Sequence, residues 1–280
     1  MNPALAVVLS AAAGAFALGI ALGCAGPSGA APPAAPAGAP AGGTTGPGRD
    51  RSGPLRVLVL SGGGYHDFDG NLKLLLDGLP VPAGTHWSFL SLGDDSADGV
   101  SRALRLRQLE SLELPGEHDV ILAYTQGELG LSPTAKDKLL AFVRGGGGFV
   151  GLHCAADSHP GWAEYTAMLG GRFESHPPYG EVTVQLTPAA ERHPVTRGLP
   201  DRWSLKDEFY HLTDLQLGDA TLLMTGVSPA GGEPRPVAWA KPYGQGRVMY
   251  TILGHGPEAH SDARYRKLVA QALLWAGGRE

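Results

Sequence analysis

Three histidines of this chain, His66, His153 and His255, each stand just past an apolar run that reads as a β-strand. An imidazole titrates near neutral pH and its bare nitrogen is a metal ligand, so such residues suit acid–base catalysis or zinc binding. His153 has the most telling surroundings. Residues 145–157 read GGGGFVGLHCAAD, in which an apolar run stops abruptly at His153 and Cys154 and small residues open a helix. A buried strand ending in a sharp turn lifts one side chain above the carboxyl edge of a sheet, where open α/β sheets form their sites.

Other groups fall at comparable places. Asp157, four residues on, is placed to face His153 across a first helical turn. His176 follows Gly170-Gly171-Arg172-Phe173, and Glu208 and Tyr210 lie in the segment KDEFYH that starts at Lys206. If the sheet is parallel, the loops after its strands converge on one rim, and His66, His153 and His255 meet there. Neutral imidazoles with a carboxylate are ligands for zinc or a similar divalent ion. Without a metal, the same groups serve as general acids and bases. The chain has no His-Glu-x-x-His motif, so the metal reading depends on convergence alone.

Cys154 reads either as a small buried hydrophobe or as a thiol nucleophile with His255 as its base. It stands one residue past the apex of the turn. Trp162, in the loop-like SHPGW that starts at Ser158, reads as the aromatic face for a sugar ring; Tyr65, Tyr165 and Trp239 read as packing. The glycines Gly62-Gly63-Gly64 lack the spacing of a nucleotide loop. They read instead as a tight turn that presents Tyr65, His66 and Asp67.

The elements that must position these groups alternate along the chain. Strands are expected at residues 55–61, 87–92, 119–124 and 149–152, with helices at 71–79, in a stretch to about 112, and at 133–144. The last of these starts with a good cap, Ser132-Pro133, and stops at Gly145. An acidic turn is expected at Asp94-Asp95. Such β-α-β-α alternation implies a doubly wound parallel sheet with right-handed crossovers. Further strands are expected at 181–186 and 220–224, a hairpin over 236–241 and 247–253, and a closing helix at 263–275.

The first 54 of the 280 residues are of another kind. Residues 1–23 are almost wholly apolar and end at Cys24, which suggests a secretory leader with lipid attachment at Cys24. The leader has no Lys or Arg before Arg49, and the apolar run of about 20 residues also suffices for an uncleaved anchor. Residues 25–54, rich in Ala, Pro and Gly, read as a disordered tether. Residues 55–280 fit one domain with a substantial core. With Cys24 lipidated, Cys154 is the second and last cysteine, so no internal disulfide forms. The net charge of −5, without a Lys/Arg cluster, argues against a nucleic-acid partner.

Several motifs together carry a family resemblance. They are GGGFVGLH ending at His153, Ala-Ala-Asp157 with Trp162, LGGRF ending at Phe173 with His176-Pro177, and the HPV…GLP run from His193. Asp207-Glu208 with Tyr210, Pro236–Trp239, GQGRVMYT…LGH ending at His255, and the final LLWA complete them. Over residues 55–278 the chain resembles the ThuA-like (trehalose utilisation) family. The resemblance implies a fold like the class I glutamine amidotransferases: a flavodoxin-like three-layer α/β sandwich with a mainly parallel sheet, here with an added hairpin. His153 then stands where those enzymes hold a nucleophilic cysteine, so their activity is not carried over. The family is associated with breakdown of trehalose and related disaccharides, beside oxidoreductases that make keto-sugars.

The leading expectation is an exported, membrane-tethered enzyme acting on a sugar or keto-sugar. In it, His153, Glu208 and His255 are catalytic, and His66, Asp157, Trp162, His176 and Tyr210 bind substrate. His66, His153 and His255 are the candidate metal ligands, with zinc the type of ion. The alternatives are a non-catalytic carbohydrate-binding lipoprotein on the same fold and a cysteine hydrolase using Cys154.

Overall fold

The computed structural model describes residues 51–93 and 99–279, all within one compact unit, Thr44–Glu280. The expected leader, Cys24, most of the tether and the acidic turn at Asp94 lie outside the described residues. No described helix is long and apolar enough to cross a membrane.

The first half alternates as its sequence pattern dictates. It runs β1 (Arg56–Gly62), α1 (Phe68–Asp77), β2 (His86–Ser91), α2 (Gly99–Ser111), α3 (Leu114–Glu117), β3 (Val120–Thr125), α4 (Pro133–Arg144) and β4 (Gly148–Leu152). Ser132 caps α4 by accepting from Ala135 N at 3.1 Å. Asp67 caps α1 by accepting from Gly70 N at 2.9 Å. β3 and β4 are buried at every position, as strands covered on both faces should be.

After β4 the chain makes a single 3-10 turn, His153–Asp157, where a longer helix was expected; α5 (Ala163–Leu169) starts only after Trp162. β5 (Arg172–Ser175), β6 (Gly180–Leu186), β7 (Arg202–Asp207), β8 (His211–Thr213), β9 (Thr221–Val227), β10 (Arg235–Tyr243) and β11 (Gly246–Thr251) follow. The chain then closes with α6 (Pro257–Ser261) and α7 (Ala263–Ala276).

The main sheet has the order β2-β1-β3-β4-β11-β10-β9-β6-β7. Its first five strands are parallel, and β10, β9, β6 and β7 continue it by antiparallel pairing. α1, α6 and α7 pack together on one side, and α2, α3 and α4 form a second helical group. The expected hairpin is β10–β11, but the antiparallel extension is larger than that hairpin.

Two reversals along the extension leave β9, and four leave β7, pointing the same way as β11. The carboxyl ends of β1, β3, β4, β11 and β7 therefore face one rim. In a flat sheet β7 would lie four strand spacings, about 19 Å, from β11. Yet the carboxylate of Asp207, the last residue of β7, accepts from Gly254 N at 2.7 Å just past β11. The extension thus curls back, and that curl brings Glu208 over the rim of the parallel half.

Candidate metal centre

Four loops deliver the cluster. His66 follows β1, His153 ends β4, Glu208 follows β7 and His255 follows β11. The rings of His66, His153 and His255 stand 5.1, 4.9 and 5.3 Å apart by centroid. One ligand atom from each of the four residues lies within 4.8 Å of all the others. The sheet order accounts for the meeting, because β1, β3, β4 and β11 are consecutive and parallel.

The local backbone is shaped for it. His153 sits at φ 42°, a left-handed conformation that a residue with a Cβ adopts only when its surroundings impose it. Gly63, at φ 131°, passes so close to β3 that a Cβ there would collide with the carbonyl of Gln126. That close approach lets the His66 loop reach over β3 to the cluster.

Hydrogen bonding fixes the protons on two of the rings. Nδ1 of His153 lies 2.6 Å from the carbonyl of Ile252. A carbonyl only accepts, so Nδ1 carries the hydrogen and a neutral ring leaves Nε2 bare. Gln126 sets His66 in the same way. Its amide nitrogen donates to Asp157 Oδ2 at 2.9 Å, which turns Oε1 towards Tyr65 N (2.9 Å) and His66 Nδ1 (3.0 Å). His66 therefore donates from Nδ1 and also presents a bare Nε2. Both Nε2 atoms are buried and have no hydrogen-bond partner among the described residues.

Glu208 faces all of them. Its Oε2 is 3.0 Å from His255 Nδ1 and 3.4 Å from His153 Nε2, and its Oε1 is 3.5 Å from His176 Nδ1. Burial would raise its pKa, but contact with His153 and His255 holds the carboxyl well below the usual range, so it is ionised. Burial, reinforced by His153, pushes His66 down to about 3, which keeps it neutral. For His255 burial works downwards, but Glu208 outweighs it and the pKa is raised.

Two buried polar groups hold the frame. Asp207 is fully buried and accepts three backbone N–H groups, those of Glu208 (2.9 Å), Gly254 (2.7 Å) and His255 (2.9 Å). Asn71 donates to the carbonyl of His255 at 3.1 Å and to the hydroxyl of Tyr124 at 3.0 Å. The donor set of three imidazoles and one carboxylate, with hydrogen-bonded partners behind the rings, fits zinc or a related divalent ion.

A family model for trehalose utilisation, ThuA, matches residues 96–276. This chain belongs to the ThuA family. A ThuA-like protein from Parabacteroides merdae is similar in fold at 19% identity, TM-score 0.64, over 80% of this chain and 90% of that one. Another from Bacteroides uniformis matches at 22% identity, TM-score 0.59, over 82% and 94%. A β-galactosidase from Bacillus circulans sp. alkalophilus matches at 15% identity and TM-score 0.51, over 80% of this chain but 31% of its own. No curated protein matches.

In this ThuA chain the remaining expected site residues are placed unevenly. Tyr210 stacks on the cluster, its ring 3.9 Å from that of His153. His176 stands at the solvent edge of Glu208. Asp157 does not face His153; it holds Gln126, one step behind His66. Trp162 offers no face to a sugar: it is 6% exposed, stacked on Tyr165 beside His159. Cys154 is fully buried and burial pushes its thiol pKa well up, the setting of a small buried hydrophobe and unfavourable to a nucleophile.

The supporting roles of Gln126 and Asp207 were not expected. Gln126 carried a usable signal, being the first residue past the apolar run of β3 and so on the same rim as the histidines. Asp207 stands in a motif of the family resemblance, but its clamp on the loop after β11 was not legible, because it depends on the curl of the antiparallel extension.

Proposed function

We propose that this ThuA chain is an enzyme acting on a sugar, of the trehalose or keto-sugar class, at a divalent transition-metal centre held by His66, His153, His255 and Glu208. The observation that carries the reading is the pair of imidazoles whose Nδ1–H groups are engaged behind them, so that in the neutral rings bare Nε2 atoms share a buried cluster with the Glu208 carboxylate. Lone pairs turned on one another in a buried place repel unless a proton or a metal cation lies between them, and the convergence of four such residues favours the metal. A bound ion would polarise a sugar carbonyl or hydroxyl oxygen. Glu208 Oε1 and His176, at the solvent edge, would move the proton, and Tyr210 would hold the His153 ring in place.

The membership in a trehalose-utilisation family supports the substrate class. The test is turnover of trehalose and of oxidised trehalose, followed by NMR. Conversion should stop on chelation and return with zinc. Conversion that survives both His153→Ala and Glu208→Gln would refute the assignment.

The same proposal places the protein in the bacterial cell envelope, tethered through a lipid on Cys24. Incorporation of a fatty-acid analogue, absent in Cys24→Ser, is the expected result.

A further inference from the structure

Beside the cluster, between the start of α1 and the start of α6, lies a cleft of about 500 Å³. This is within the size range of small-molecule sites. His66 and His255 line both the cleft and the cluster, so a molecule in the cleft touches the centre directly.

Two aromatic rings line it as well. Tyr65 is 90% exposed, although its backbone is pinned by the bond from its N–H to Gln126. A tyrosine kept for packing would be buried, and this one leaves its ring exposed beside the cleft. Tyr179 is 39% exposed, with its ring 5.5 Å from that of His255 and its hydroxyl donating to the carbonyl of Lys206 at 3.3 Å.

The polar lining is acidic. Asp67 and Glu258 present carboxylates to the cleft, and no lysine or arginine is among its described lining residues. Carboxylates accept from sugar hydroxyls and repel phosphate. The C–H bonds of a pyranose face, polarised by the ring and hydroxyl oxygens, pack on the negative face of an aromatic ring.

We propose that this cleft is a subsite for a neutral saccharide unit, gripped by Tyr65 and Tyr179, that leads the substrate into the cluster and rejects sugar phosphates. The proposal rests on the sugar-enzyme reading and names the part of the molecule that selects the substrate.

The test uses the full chain, with trehalose and trehalose 6-phosphate as probes and binding read by calorimetry. Trehalose should bind, and Tyr65→Ala and Tyr179→Ala should each weaken it about tenfold, or about 1.4 kcal/mol. Tyr65→Phe should retain wild-type affinity, and the phosphate should bind more weakly than trehalose. Both alanine variants should bind zinc as the wild type does, because neither residue belongs to the cluster. Absence of trehalose binding, equal affinity in the Tyr65→Ala,Tyr179→Ala double variant, or preference for the phosphate would each overturn the subsite. Failure of the zinc reading shows separately, as absence of metal with tyrosine-dependent binding intact.

Discussion

Nε2 of His153 lies 3.4 Å from Oε2 of Glu208 with no hydrogen between them in the neutral ring, because the single ring proton is on the Nδ1 that faces Ile252. His66 repeats the arrangement through Gln126. The fold thus builds two acceptor nitrogens against a carboxylate, and the predictions below address the groups that hold them there.

Gln126→Leu keeps the bulk of the side chain and removes the acceptor for His66 Nδ1–H. Loss of such a partner behind a ligand weakens metal binding by about 10–100-fold. Competition with a chromogenic chelator should give a zinc affinity lower by that order. An unchanged affinity would show that His66 needs no such support.

Asp207→Asn replaces an acceptor-only group that receives three backbone N–H bonds by one that can receive on a single oxygen. The expected cost is about 2–3 kcal/mol, or roughly 4–12 °C in melting temperature for a domain of this size. Calorimetry checks it, and a variant as stable as the wild type would contradict the clamp between β7 and the β11 loop.

Asp119, just before β3 and so at the opposite end of the sheet from the cluster, carries a pH prediction. Burial works to raise its pKa, but bonds from Arg56 and Arg279 hold it below the ordinary value. A depressed folded-state pKa means stability that is complete above the unfolded value, about 4, and lost as pH falls through the folded one. Asp119→Asn should cost about 2–4 kcal/mol near neutrality, with the deficit shrinking below about pH 4. Urea unfolding at several pH values reads this, and a deficit that stays constant with pH would be the contrary result.

Much of the parallel half was legible in the sequence. Continuous apolar runs gave β1, β3 and β4, and Ser132-Pro133 and Gly145 bounded α4. Three histidines at strand ends sufficed to expect their convergence, since parallel strands share a rim. The antiparallel half was less legible. β5 and β8 are four and three residues long and gain their pairing from partners distant in sequence, so no local period marks them, while β7 does alternate, burying Trp203, Leu205 and Asp207, in a segment read only for its motif. The aromatics misled for a related reason: exposure is set by what lies across the fold. Trp162, in a turn-rich segment, finds Tyr165 to stack on, while Tyr65 is left 90% exposed.

Cys154 offers a check on the buried turn. In a Cys24→Ser background its thiol should resist iodoacetamide under native conditions and react only on unfolding, because burial denies both access and ionisation. Rapid native alkylation would mean that the turn opens.

The central claim meets its most direct test in elemental mass spectrometry of the purified chain, loaded with zinc and desalted. The account predicts about one zinc ion per chain in the wild type and its loss in both His153→Ala and Glu208→Gln, with the fold retained. A wild-type chain that holds no metal after loading would contradict it.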